Sequence, residues 1–271
     1  MSTLWWRQIQ GILRMEVKKN LFSSRALPIY ILCLIPIGIV MLFIGVSEFL
    51  EDGPPDDLAN PGGAQIFFAV PIFQMSILRS TLFFGCVWIF MNLFRGEVLD
   101  RSLHYYFLAP VRREVLIAGK FLSAWVGAVI LFGGMTSFCY FAIYTYLDPG
   151  SMASLIGHWL AYMAIVAMAT LGYGAIFMTA GLFMKNPVVP AIIILLWENF
   201  NPFLPSFLKK LSVIHYMQAL YPVDVTQGPV AILAESVSLW IAVPGFILFA
   251  TAMLLFAGFQ IRRMEIHYAD D

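Results

Sequence analysis

Long apolar runs constrain this chain more than any other feature. Hydrophobic segments of about 20 residues, the length at which an α-helix crosses a ~30 Å hydrocarbon core, recur along all 271 residues. The first runs from about Leu27 to Val46 and is interrupted by Pro28 and Pro36. A second lies within Ile66–Phe94, too long for one untilted crossing; Phe83–Phe94 is expected to cross while the outer part lies in the interface or re-enters. The third and fourth are about Val115–Tyr144 and Leu155–Met184. A fifth starts at Val188 and runs into a region broken by Pro202 and Pro205, and the sixth is about Leu239–Ile261. The expected fold is a single all-α transmembrane domain over residues 1–271 with six spans.

Composition excludes the soluble alternative. Hydrophobic residues make up 61% of the chain and charged residues 12%, against soluble norms of about 45–50% and about 25%. Mean hydropathy is +0.83. A soluble core cannot hide that much apolar surface, so lipid must take up the excess. The 16 basic and 16 acidic residues cancel, which removes any global electrostatic argument for nucleic acid.

The charges are unevenly placed along the chain. Arg7, Arg14, Lys18, Lys19 and Arg25 precede the first span, and Arg95, Arg101, Arg112, Arg113 and Lys120 lie between spans two and three. With Lys185, Arg262 and Arg263, 13 of the 16 basic residues fall on one side. The loop after span one carries Glu48, Glu51, Asp52, Asp56 and Asp57 and no base. Basic loops stay cytoplasmic, so both termini are expected inside and the Glu48–Gly63 loop outside. Residues 1–26 do not read as a signal peptide, because basic and apolar residues interleave up to Arg25. Trp5, Ile9 and Leu21 fall near one helical face and Arg7, Arg14 and Lys18 on another, the pattern of an amphipathic helix on the inner membrane surface. A plain charged anchor for span one is equally compatible.

The second cytoplasmic loop, with its coupling region at residues 97–113, is expected to hold a short helix. Leu99, Leu103, and Tyr106 or Phe107 recur at helical spacing, and Pro110 stops the run. Such an apolar-aromatic helix, flanked by charge, either lies on the membrane or enters a groove on a partner.

In this loop the sequence resembles the membrane subunits of type-2 ATP-binding-cassette (ABC) exporters. Glu97, Leu103, Leu108, Pro110, Arg112 or Arg113, Gly119 and Lys120 follow that family's order, although Arg101-Ser102 stands where the family often has Gly-Thr. The resemblance implies that Glu97, Leu103, Tyr106, Phe107, Pro110, Arg112 and Arg113 form a coupling helix docking into an ATPase subunit. It implies broken outer-leaflet helices at residues 198–238, where Asn201-Pro202, Leu204-Pro205 and Tyr221-Pro222 independently mark helix breaks. It also implies a homodimer, two separate ATPase subunits, membrane lipids as surroundings, and a bacterial inner membrane as the location. The expected function is outward movement of an amphipathic or hydrophobic substrate by alternating access.

No power source is legible in the chain. Gly119-Lys120 is followed by Phe121 and lacks the upstream glycine of a phosphate-binding loop. ATP and Mg are therefore expected on the partner, with no catalytic residue and no cofactor here. His104, His158, His215 and His267 are scattered, and Cys33, Cys86 and Cys139 form no pair or cluster, so no metal site is expected. The cysteines read as small residues at helix interfaces.

Two charges sit inside apolar segments: Arg79 in the second and Glu198 in the fifth. A charge near mid-membrane costs about 2.5–3.5 kcal/mol and usually faces a partner or a water-filled cavity. With Asn199 and Asn201, these residues form a candidate outer gate in which Arg79 and Glu198 pair. The competing readings are outward snorkelling of Arg79 and an interfacial Glu198. An intramembrane enzyme or lipid-modifying protein using Glu198 and a polar neighbour is the alternative function.

Overall fold

The computed structural model describes residues 26–50, 61–99, 113–148, 152–184, 188–200, 205–223 and 238–263, with Gly11, Gly53, Pro55, Leu58, Asn186 and Phe203. Every regular element among them is helical. In order they are α1 (Leu27–Leu50), α2 (Pro61–Phe67), a π-helix (Phe68–Leu82), α3 (Phe83–Leu99), α4 (Arg113–Leu147), α5 (Met152–Phe183), α6 (Val188–Phe200), α7 (Ser206–Lys209), α8 (Val213–Gln218) and α9 (Leu239–Arg263). Five stretches within them are long and apolar enough to cross a membrane: Leu27–Phe49, Gly62–Leu93, Val115–Leu147, Leu155–Phe183 and Leu239–Gln260. The chain is all-α, with the character of a polytopic integral membrane protein.

The α5 helix is the hub of the bundle, packing against α3, α4 and α9. Its glycines let neighbours approach closely. A Cβ on Gly181 would lie 3.0 Å from the Met91 carbonyl oxygen, and one on Gly174 would lie 2.6 Å from the Phe90 ring. Small residues at such crossings replace the hydrophobic drive that lipid cannot supply. Polar side chains add sparse cross-links: Trp125 Nε1 donates to the Ala167 carbonyl at 2.9 Å, and Thr179 Oγ1 to the Met253 carbonyl at 3.2 Å. Cys33, Cys86 and Cys139 are free thiols buried in this packing.

Two expectations about the spans are modified. The outer part of the second segment is not a separate interfacial piece. The helix runs without interruption from Pro61 to Leu99, and Phe68, Ile72 and Phe73 are buried inside the bundle. The π-helical stretch contains Pro71, whose missing amide rules out an ordinary helical bond at that point. The wider i→i+5 register absorbs that interruption without a break. The fifth apolar segment also differs. α6 has 13 residues, about 20 Å at 1.5 Å per residue and short of the ~30 Å core.

After α6 the chain turns through the short helices α7 and α8 before α9 begins. Ser212 caps α8, accepting from the His215 amide at 3.3 Å. Tyr216 of α8 packs on Phe246 of α9, with ring centroids 5.7 Å apart, so the returning segment is anchored to the last helix. At the other end of α4, Tyr146 donates to Glu48 Oε2 at 3.4 Å and ties that helix to α1.

Candidate functional site

Two of the polar residues expected at the gate, Arg79 and Asn199, meet where the π-helix faces the last turn of α6. Arg79 Nη1 donates to Asn199 Oδ1 at 3.4 Å, joining residues 120 positions apart in sequence. Asn199 is held for this by its own helix, its Nδ2 donating to the Leu195 carbonyl at 2.8 Å. Glu198 is 3% exposed and points the other way, into the start of α8. Ser212 Oγ donates to Glu198 Oε2, and the Val213 amide donates to Oε1 at 2.9 Å.

Glu198 and Arg79 are therefore electrostatic neighbours without a direct hydrogen bond. Glu198 takes up donors at the start of α8, the Ser212 hydroxyl and the Val213 amide, the latter one of the groups a helix start leaves without an intrahelical partner. The result is a three-part connection. The π-helix holds α6 through Arg79 and Asn199, and α6 holds the returning segment through Glu198 and Ser212. Both Glu198 oxygens are occupied as acceptors, whereas Arg79 Nε is buried without a partner among the described residues.

Tyr221, just past α8, belongs to the same neighbourhood. Burial pushes its phenol pKa up, and the nearby Arg79 charge opposes that shift. Its ring lies 6.0 Å from Phe73 of the π-helix. Tyr173 of α5 is fully buried against Phe83 and Phe177, with ring centroids 5.3 and 6.2 Å away.

The remaining predicted residues stand differently. Leu103, Tyr106, Phe107, Pro110, Arg112 and Asn201 lie outside the described residues, as does the stretch 1–26 apart from Gly11 and Ala26. Glu97 falls in the last turn of α3 and Arg113 at the first position of α4, and neither side chain is described. Of the capping region 198–238, residues 201, 202, 204 and 224–237 lie outside the described set.

Sequence reasoning missed Ser212. Ser212 stands at a cap position before Val213-Ile214-His215, a signal of the Ser-x-x type that marks helix starts. Among the described residues no cluster of three or more His, Cys, Asp or Glu side chains exists that would hold a metal ion. No protein-family model matches the chain, and no curated protein matches it.

Proposed function

We propose that this chain is the membrane-spanning permease of an ATP-driven exporter of the type-2 ABC class. It works as a homodimer with two separate ATPase subunits and moves an amphipathic or hydrophobic substrate outward. The observation that carries the reading is the Arg79–Asn199 contact beside the buried Glu198. Charged and polar groups inside an apolar bundle are costly, and they are retained where a pathway or gate needs them. Here they join the π-helix to a short, broken segment, the kind of junction that can move without unfolding a whole span. π-helical turns are themselves frequent at functional positions. The distribution of basic residues supports cytoplasmic termini and an inward-facing coupling loop.

The test is reconstitution of the full chain in vesicles with an ABC ATPase subunit that co-purifies with it. ATP-dependent accumulation of an amphipathic cargo is expected. Tyr106→Ala combined with Phe107→Ala is expected to abolish it while leaving membrane insertion intact, because docking anchors commonly cost at least about 2 kcal/mol when truncated. Co-purification and coupled turnover that both stay at the wild-type level would overturn the coupling-helix assignment and the reading built on it.

A further inference from the structure

Arg79 carries a charge that no described residue meets with a direct ion pair. A guanidinium presents five N–H donors in one plane. Only Nη1 reaches an acceptor among the described residues, Asn199 Oδ1 at 3.4 Å. The Nε atom is buried and has no partner among them. Glu198 is next to Asn199 in sequence but turned the other way, with both oxygens engaged by the Ser212 hydroxyl and the Val213 amide. A cation in apolar surroundings is costly unless a counter-charge or a polar group reaches it. Most of the donors of this one are left for something outside the described chain.

The position can be reached from the surface of the bundle. Arg79 is half-buried, whereas Ser80 and Asn199 beside it are exposed. Arg79 stands near the middle of the Gly62–Leu93 span. Its contact with Asn199 holds the guanidinium at the end of α6, about 20 Å along a ~30 Å core. The surface around it is apolar. Phe84 and Trp88 follow Ser80 at intervals of four and are 44% and 45% exposed, and α6 presents Ile192 and Leu196. A cation set into an apolar face matches a molecule with an anion at one end and hydrocarbon behind it. A free inorganic anion would have to give up its water to arrive there.

We propose that Arg79 and Asn199 form a binding site for the anionic headgroup of an amphipathic substrate, a phosphate or carboxylate on a hydrocarbon chain, with the chain lying along Phe84 and Trp88. The inference rests on the export reading above and names the chemical class of the cargo. The planar guanidinium gives two parallel N–H bonds to such an oxyanion. Asn199 Nδ2 uses one hydrogen on the Leu195 carbonyl and has a second to offer. A resident phospholipid keeps its phosphate at the membrane–water boundary, on either side of the ~30 Å core. An anion held at the depth of Arg79 is therefore one in passage.

The test is photolabelling of the full chain in phosphatidylcholine vesicles, without any ATPase. The probe is oleoyl lysophosphatidate with a photoreactive group on its chain, and monooleoylglycerol with the same group is the neutral control. Saturable labelling of the segment from Phe84 to Trp88 by the anionic probe is expected. Arg79→Gln should weaken it about tenfold or more, and Arg79→Lys should keep the preference for the anion. Asn199 is exposed, so Asn199→Ala should leave the fold intact and weaken labelling severalfold; it carries the test where Arg79→Gln does not fold. Equal labelling by the neutral probe, or wild-type affinity in either variant, would overturn the site. An excess of phosphatidylglycerol in the vesicles should leave the labelling in place. Displacement of the probe by that lipid would mean a site for bilayer lipid and would overturn the substrate assignment. Absence of labelling strikes this site alone, and the export reading then stands or falls on the Tyr106 and Phe107 variants.

Discussion

The long helices fall into two groups that reverse the habit of soluble proteins. The most apolar stretch of α1 has a mean hydropathy of 2.8, yet only 22% of it is buried; for α9 the values are 2.2 and 17%. The π-helix with α3, then α4 and α5, have values of 1.6, 2.1 and 1.8 and are 56%, 61% and 56% buried, so α4, nearly as apolar as α9, is the most buried of all. The least polar surface therefore faces outward. Leu42, Leu248 and Trp240 are 69%, 73% and 89% exposed, while Thr136, Thr170 and Lys120 are at 0%. Water could not solvate such an exterior, but lipid can, and inside the bundle Thr136 and Thr170 donate to carbonyls of their own helices, those of Phe132 and Val166. The comparison teaches that burial in this protein follows packing and hydrogen bonding more than hydropathy.

The largest expected effect separates the two groups by truncation. Phe132 of α4 is fully buried and fills the space beside Gly85 of α3. Phe132→Ala should leave a cavity and destabilise the protein by up to about 3–5 kcal/mol, the soluble-core scale. Leu248→Ala on the outward face of α9 should change stability by less than about 1 kcal/mol, since lipid chains fill the gap. Thermal unfolding of both variants in the same detergent or bilayer checks this, and equal losses would erase the distinction between the groups.

The next prediction exchanges truncation for charge. Leu248 lies near the middle of α9, so Leu248→Asp should cost about 2.5–3.5 kcal/mol on insertion scales. Loss of the protein from the membrane fraction, or a matching fall in thermal stability, is the expected result. A silent Leu248→Asp variant would mean that the exposed face of α9 meets water, and the integral-membrane reading of this helix would fail.

These contrasts also explain what was legible beforehand. Hydropathy and length revealed the five long helices, because spanning runs such as Leu155–Met184 carry that signal locally. The fifth segment carries the same signal, but its described helix α6 has only 13 residues. The signal also split a continuous helix at Phe83, since nothing in composition distinguishes a π-helical register from an interfacial segment. At the site, Arg79 and Glu198 stood out as charges in apolar surroundings. Their partners did not: Ser212 lies 14 positions from Glu198, and which donor reaches a carboxylate depends on how the chain returns after Pro202 and Pro205.

The smallest expected effect concerns glycine, and its sign distinguishes the two groups. In an exposed helix interior, replacing Gly by Ala gains about 1 kcal/mol, because alanine loses less conformational freedom and shields the backbone. Gly258 on α9 has nothing within 4 Å of where its Cβ would sit, so Gly258→Ala should stabilise by about that amount. Gly181 on α5 faces the Met91 backbone, with the carbonyl oxygen 3.0 Å and the Cα 3.2 Å from the added atom. Backbone cannot rotate out of the way as a side-chain end can, so α3 and α5 must separate by a few tenths of an ångström or bear the clash. That separation loosens the closest crossing at the hub, and the overpacking cost of about 1–3 kcal/mol outweighs the helix-propensity gain. Gly181→Ala should therefore lower the Tm while Gly258→Ala raises it. Two shifts of the same sign would show that α5 is no more tightly held than the lipid-facing α9.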